Sequence, residues 1–246
     1  MIRELSAVAE VAAACGDDDM TVWAAQGMRR GVRAFAGGDA VAVVTPGAAR
    51  HDRIALWGDP GDAAVLVEFA VAECGPGFGP FGEVDLVREV VHRVEGLELR
   101  GAFSWMGVGR VPAGDPEGVR WLGREEEVEV SALLAAAHPD SYATPSVEGV
   151  SRWAGVRGPD GGLAAVAADA WSAPEVGLLA GVATAVSARG RGLAERVCRF
   201  VTAELVRRHG RAALLVDDAN GSAIRVYERL GFVRRFAASA RVVPRG

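Results

Sequence analysis

The chain contains no lysine; all 27 of its basic residues are arginine. That excludes Schiff-base chemistry and the lysine of a P-loop nucleotide site. Cysteine is scarce. Cys15, Cys74 and Cys198 are far apart, odd in number and unpatterned, which argues against a disulfide framework and fits reduced structural thiols. His51, His92 and His209 show no ligand spacing with cysteines or acids, so no metal is expected. Long apolar runs are missing too. The N-terminal apolar stretch is broken by Arg3, Glu4 and Glu10, and no run approaches a membrane span. The expectation is a cytoplasmic protein without a membrane partner. Net charge is −5 with a pI near 5.5, which argues against nucleic acid as a partner.

At 246 residues, half of them apolar, the chain can form one large domain or two small ones. Its most informative stretch is Arg189-Gly190-Arg191-Gly192-Leu193-Ala194-Glu195. This lies between a strand-like run, Val176 to Val186, and an amphipathic helix expected over 191–208. Leu193, Val197, Val201 and Leu205 recur on one face of that helix, and Cys198 lies on or beside it. A Gly-rich turn opening a helix directs several backbone N–H groups one way, at the positive end of the helix dipole. Such a turn suits a pyrophosphate. Arg189 and Arg191 add charge at its rim.

A second segment follows: Asp217-Asp218-Ala219-Asn220-Gly221-Ser222-Ala223-Ile224-Arg225-Val226-Tyr227-Glu228-Arg229-Leu230-Gly231-Phe232. Asn220 is the only asparagine in the chain, and Tyr227 is one of two tyrosines. R-G-R-G-L-A followed by N-x-x-A-x-x-x-Y-x-x-x-G-F resembles the paired signatures of the GNAT superfamily of acyl-CoA-dependent N-acyltransferases. The resemblance covers roughly residues 118–246. It implies a mixed α/β (α+β) fold, a mostly antiparallel sheet flanked by helices, with acetyl-CoA as cosubstrate. It further implies that Val182, Ala183 and Thr184 offer backbone groups to the pantetheine arm. Arg189, Gly190, Arg191, Gly192, Leu193 and Ala194 would hold the pyrophosphate. Asn220, with Ala223 of the same motif, would contact the pantetheine or phosphate, and Tyr227 would protonate the departing thiolate. Tyr227 also reads as a core-edge aromatic, and Asn220 as a helix N-cap.

The general base is not evident. Many relatives place a Glu in the strand before the Gly loop, yet Val176 to Thr184 contains no acid or histidine. Glu175, Asp169, Asp217, Asp218 and His138 are candidates, each also readable as a solvated surface group. A water relay, or an acceptor that arrives deprotonated, needs none of them. Val186 stands where relatives often have proline.

The segment Pro112 to Gly118 is the best linker, dividing the chain into an N-terminal α/β domain, 1–112, and a catalytic domain, 118–246. In the latter, a strand is expected at 119–122. Helices are expected at 125–137 and 146–156, then a hairpin of Leu163–Trp171 with Val176–Val186. Beyond the Gly loop come a strand at 212–216, a helix at 220–229 and a strand at 232–243. In the former, helices are expected at 4–15 and 20–29, then strands at 31–36, 40–45 and 53–57. Helices at 61–73 and 84–94 and a strand at 97–106 complete it. The order from residue 31 parallels the other half, as a degenerate second copy would. The turn matching the Gly loop is then Gly58-Asp59-Pro60-Gly61-Asp62, whose acids would repel a pyrophosphate and whose proline lacks an N–H.

The functional expectation is N-acetyl transfer to a primary amine, of a small molecule or a peptide, by direct transfer in a ternary complex. A noncatalytic acyl-CoA-binding or assembly module of the same fold is the alternative. A homodimer is left open.

Overall fold

The computed structural model describes residues 1–243. The chain forms two compact units.

The first unit comprises Met1–Trp105, Ala173–Glu175 and the C-terminal stretch from Arg235. Its elements are β1 (Arg3–Leu5), α1 (Val8–Ala14), α2 (Asp19–Ala25), β2 (Arg33–Gly37), β3 (Ala40–Ala48) and β4 (His51–Gly58). These are followed by α3 (Pro60–Cys74), β5 (Gly79–Glu83), α4 (Val84–Arg93) and β6 (Leu97–Val108), whose last residues leave the unit. β1 to β4 pair antiparallel in sequence order, and β5 joins β4 in parallel. The far side of β5 is taken by residues near the C-terminus, with Ala237 opposite Glu83 and Ser239 opposite Phe81. α3 and α4 pack Ala63, Leu66, Val67, Ala70, Leu86 and Val90 against Phe35, Ala42, Val44, Ile54 and Leu56 of the sheet.

The second unit comprises Met106–Ser172 and Val176–Arg234. It contains β7 (Arg120–Trp121), α5 (Glu127–Ala137), β8 (Val150–Arg157), β9 (Leu163–Ala170) and β10 (Gly177–Thr184). α6 (Leu193–His209), β11 (Ala212–Val216), α7 (Gly221–Arg229) and the start of β12 (Val233–Val242) complete it. β7, β8, β9 and β10 pair antiparallel in order, and β11 joins β10 in parallel. Each unit is thus a mixed α/β fold with a mostly antiparallel sheet flanked by helices. The strand, helix, three strands, helix, strand, helix, strand order of the second unit recurs in the first, with one more helix after its first strand.

The core of the second unit forms where α6 crosses the sheet. Val197, Cys198, Val201 and Leu205 lie against Ala154, Val156, Ala165, Ala167 and Leu179, joined by Met106, Tyr227 and Phe232. This bears out the apolar helix face read from the sequence. Three elements differ from the sequence reading. The helix expected at 146–156 is strand β8. Its apolar residues are buried from Trp153 to Val156, and a strand buried on both sides reads as a continuous apolar run that helical periodicity can mimic. The start of the helix expected at 4–15 is the edge strand β1. β5, Gly-Pro-Phe-Gly-Glu, was not expected because glycine and proline normally mark turns.

Candidate active site

The site is built around β10 and the helix that follows it. β10 and β11 pair through Gly177, Leu178 and Leu179, opposite Ala212, Ala213 and Leu214. The registered pairs stop there, while β10 continues to Thr184. From Ala180 onward its β11-facing backbone edge therefore leaves N–H and C=O groups available. On the other side β10 pairs with β9, and the register slips. Ala180 lies opposite Ala168 but Ala183 opposite Val166, so Gly181 and Val182 together oppose one residue. This is a β-bulge, which withdraws a backbone group from the ladder and re-aims it. Gly181 has φ +61°, a left-handed conformation natural to glycine. A side chain there would also collide with the Trp153 ring, 2.4 Å from the position of a Cβ.

Val182, Ala183 and Thr184 thus form the end of a strand with a free edge. Thr184 Oγ1 is buried and has no hydrogen-bond partner among the described residues. A buried hydroxyl is normally hydrogen-bonded.

After Thr184 the chain makes a 3₁₀ turn, Val186–Ala188, and enters the Gly loop. Gly190 and Gly192 have φ +77° and +73°, and at both a Cβ would meet nothing within 4 Å. These glycines are there for backbone conformation, and the space before them is open. Gly192 is the N-cap of the 17-residue α6, and no side chain caps the helix. The first-turn N–H groups, including those of Leu193 and Ala194, are consequently available to an anion. Arg189 donates to the Ala137 carbonyl at 3.3 Å, which steadies the rim. Arg191 is exposed, with no hydrogen bond or ion pair among the described residues.

Asn220 is the N-cap of α7, its Oδ1 accepting from Ala223 N–H at 3.1 Å and Ser222 Oγ at 3.0 Å. The cap reading of Asn220 is correct, and its amide NH₂ remains as a donor. Ala223 has its N–H engaged by that cap, so only its methyl group can meet a ligand. Tyr227 is buried on α7, edge-on to Phe232 with centroids 5.9 Å apart. Burial pushes its phenol well above the usual range, and the Cys198 thiol adds to this. Burial likewise raises the Cys198 thiol, so Cys198 is a core residue.

The candidate bases fare differently. Asp169 is no surface group. It is buried, paired to Arg152 at 3.2 Å, and accepts from Ser172 Oγ at 2.6 Å. Ser172 Oγ in turn accepts from Leu178 N–H, so this acid pins the β9–β10 turn. Asp217 accepts from Ala219 N–H, Asp218 pairs with Arg234 at 2.8 Å, and His138 is exposed at the end of α5. Glu175 belongs to the first unit. No group of three or more potential metal ligands occurs among the described residues.

Sequence reading missed Gly181 and Trp153. A glycine inside an apolar strand is a bulge signal, whereas the reach of Trp153 from two strands away has no local signal.

The family model described as FR47-like protein matches residues 159–242. Among solved structures, a protein assigned to the GNAT family of acetyltransferases from Novosphingobium aromaticivorans is 26% identical. The match covers 85% of this chain and 91% of that one, with a TM-score of 0.54. A GCN5-related N-acetyltransferase from Kribbella flavida is 22% identical over 90% and 93% of the two chains, TM-score 0.58. One from Sphaerobacter thermophilus is 16% identical over 100% and 96%, TM-score 0.61. No curated protein matches the chain.

Proposed function

We propose that this chain, which carries the fold and the C-terminal signature of the GNAT superfamily, is an N-acetyltransferase that uses acetyl-CoA to acylate a primary amine. The family and fold support acyl transfer in general. One observation carries the finer reading: an uncapped helix N-terminus, behind two left-handed glycines facing open space, directly follows a bulged strand with a free edge. The pyrophosphate of an acyl-CoA fits the first feature and its pantetheine amides fit the second. Thr184 Oγ1 and the Asn220 amide are further partners for it.

In this reading the acceptor nitrogen attacks the thioester carbonyl within a ternary complex. The C–N bond forms and the C–S bond breaks, and the electron pair passes to sulfur. Donors at the β10 bulge serve the oxyanion. Tyr227, kept protonated by burial, donates to the departing sulfur. The proton lost by the amine passes to water, since β10 carries no acid and Asp169 is committed to Arg152, and water returns a proton to Tyr227, so the phenol ends the cycle neutral. The acceptor is a small-molecule or peptide amine. Three free cysteines support a cytoplasmic setting, and no helix among the described residues is long and apolar enough to cross a membrane.

A noncatalytic acyl-CoA-binding module is the second reading, favoured by the same absence of a base. Calorimetric binding of acetyl-CoA, followed by transfer to an amine panel, separates the two. Gly192→Asp, which puts a carboxylate at the helix N-terminus, should abolish binding while the protein stays folded. Unchanged affinity in that variant would refute the cradle.

A further inference from the structure

Trp153 lies on β8 opposite Ala168 of β9, and Ala168 lies opposite Ala180 of β10. The two alanines leave room for the indole to reach across to the bulge. Its six-membered ring stops there. A Cβ on Gly181 would stand 2.4 Å from Trp153 Cη2, 2.9 Å from Cζ3 and 3.1 Å from the Ala143 methyl. Trp153 is 3% exposed, and its Nε1 has no hydrogen-bond partner among the described residues. A buried indole N–H without a partner is unfavourable. The ring is therefore held in place by its shape, and its edge closes the space behind the bulge.

We propose that Trp153, backed by Ala143, is the end wall of the acyl-binding site and restricts the acyl group to a short chain. This rests on the acyl-CoA reading above. If the thioester carbonyl takes a bulge N–H, the acyl carbons beyond it run toward the indole edge. A close-packed aromatic wall yields little, and an extra methylene in a fitted apolar pocket is discriminated by about 10- to 200-fold.

Calorimetric titration with CoA, acetyl-CoA, butyryl-CoA and hexanoyl-CoA tests this. The wild-type protein should bind hexanoyl-CoA at least about 10-fold more weakly than acetyl-CoA. Trp153→Ala should erase or invert that ratio while leaving the affinity for free CoA within about 2-fold, a margin well below one methylene's discrimination. Trp153→Leu keeps more of the core volume and serves if the alanine variant does not fold; its ratio should shift the same way. Ala143→Leu should shift it oppositely, weakening butyryl-CoA more than acetyl-CoA. A wild-type protein indifferent to acyl length, or folded Trp153 variants with an unchanged ratio, would overturn the wall while leaving the cradle intact. Absence of any CoA binding to the wild-type protein would instead sink the broader reading, and this inference with it.

Discussion

Asp59 Oδ1 accepts the N–H of Gly61 at 2.8 Å, and with it the N-terminus of α3 acquires an anion of its own. The same oxygen accepts from Asp62 N–H at 3.1 Å, and Pro60 fills the first turn without an N–H to offer. At the matching place in the second unit, Gly192 leaves α6 uncapped. The difference is chemical: one helix start is satisfied by a carboxylate, and the other carries no side-chain cap.

The first prediction follows from that contrast. CoA should bind with a stoichiometry of one per chain, and Gly192→Asp should eliminate that binding entirely. Calorimetry checks both. Two equivalents in the wild type, of which one survives in Gly192→Asp, would mean that α3 accepts a pyrophosphate despite Asp59; a single equivalent unchanged in Gly192→Asp would refute the cradle itself.

The second concerns Tyr227. Removing its hydroxyl leaves the ring packed on Phe232. Tyr227→Phe should lower turnover about 10²- to 10⁴-fold, the usual range for a general acid, and should hardly change CoA affinity. Because burial raises the phenol's pKa, the wild-type rate should show no loss from phenol ionisation up to about pH 10, the ordinary tyrosine value. Turnover per folded molecule equal to wild type would make Tyr227 a packing residue only.

Much of this site is legible in the sequence because its parts are local. The Gly loop, the apolar spacing of Val197, Val201 and Leu205, and the cap at Asn220 each depend on residues within a turn or two of one another. What escapes is what the sheet brings together. Trp153 meets Gly181 only because the small side chains of Ala168 and Ala180 intervene. Asp169 reads as a surface acid until Arg152 is placed beside it on the neighbouring strand. β8 passes for a helix, since burial on both sides removes the alternation that marks a strand. β5 goes unread as a strand because glycine and proline normally mark turns; in the sheet its glycines permit the close approach of a neighbouring strand, and a Cβ on Gly79 would lie 2.1 Å from the Ala240 carbonyl oxygen.

The third prediction concerns the β3–β4 hairpin. Ala48 pairs with His51, so Ala49 and Arg50 form a two-residue turn, with φ of +48° and +66°. Both positive values mark a type I′ turn, which favours asparagine and glycine. Arg50 is exposed. Left-handed backbone costs a non-glycine residue roughly 1–2 kcal/mol, and the added freedom of glycine in the unfolded chain offsets about 0.4–1 kcal/mol. Arg50→Gly should therefore stabilise the protein by about 0.5–1 kcal/mol, and Arg50→Pro should destabilise it sharply, since proline fixes φ near −65°. Urea denaturation measures both. A destabilised glycine variant would show that the Arg50 side chain contributes more than its backbone costs.

The last prediction concerns acid stability. Glu126 is buried at the start of α5, where it accepts both terminal nitrogens of Arg120 at 2.7 and 2.8 Å, Arg157 at 2.5 Å and Gly123 N–H at 2.9 Å. The hydrogen bond from Arg120 is the largest of the effects that bring its carboxyl from an ordinary 4.5 down to about 2. A carboxylate whose pKa is lowered by folding stabilises the fold above its unfolded value. That contribution declines as pH drops below about 4.5 and is gone once pH passes through about 2. Other carboxylates titrate in the same window, Glu4 and Glu129 among them, both lowered by arginine partners. The informative quantity is therefore the difference between wild type and Glu126→Gln. At pH 7 the variant should melt lower, because Arg120 and Arg157 lose a shared anion. Between pH 5 and pH 2.5 the gap should narrow, since acid removes from the wild type what the substitution has already removed. Melting temperatures across that range give the answer. A gap that stays constant with pH would mean that Glu126 acts through its shape and its cap to Gly123, and that its charge contributes nothing.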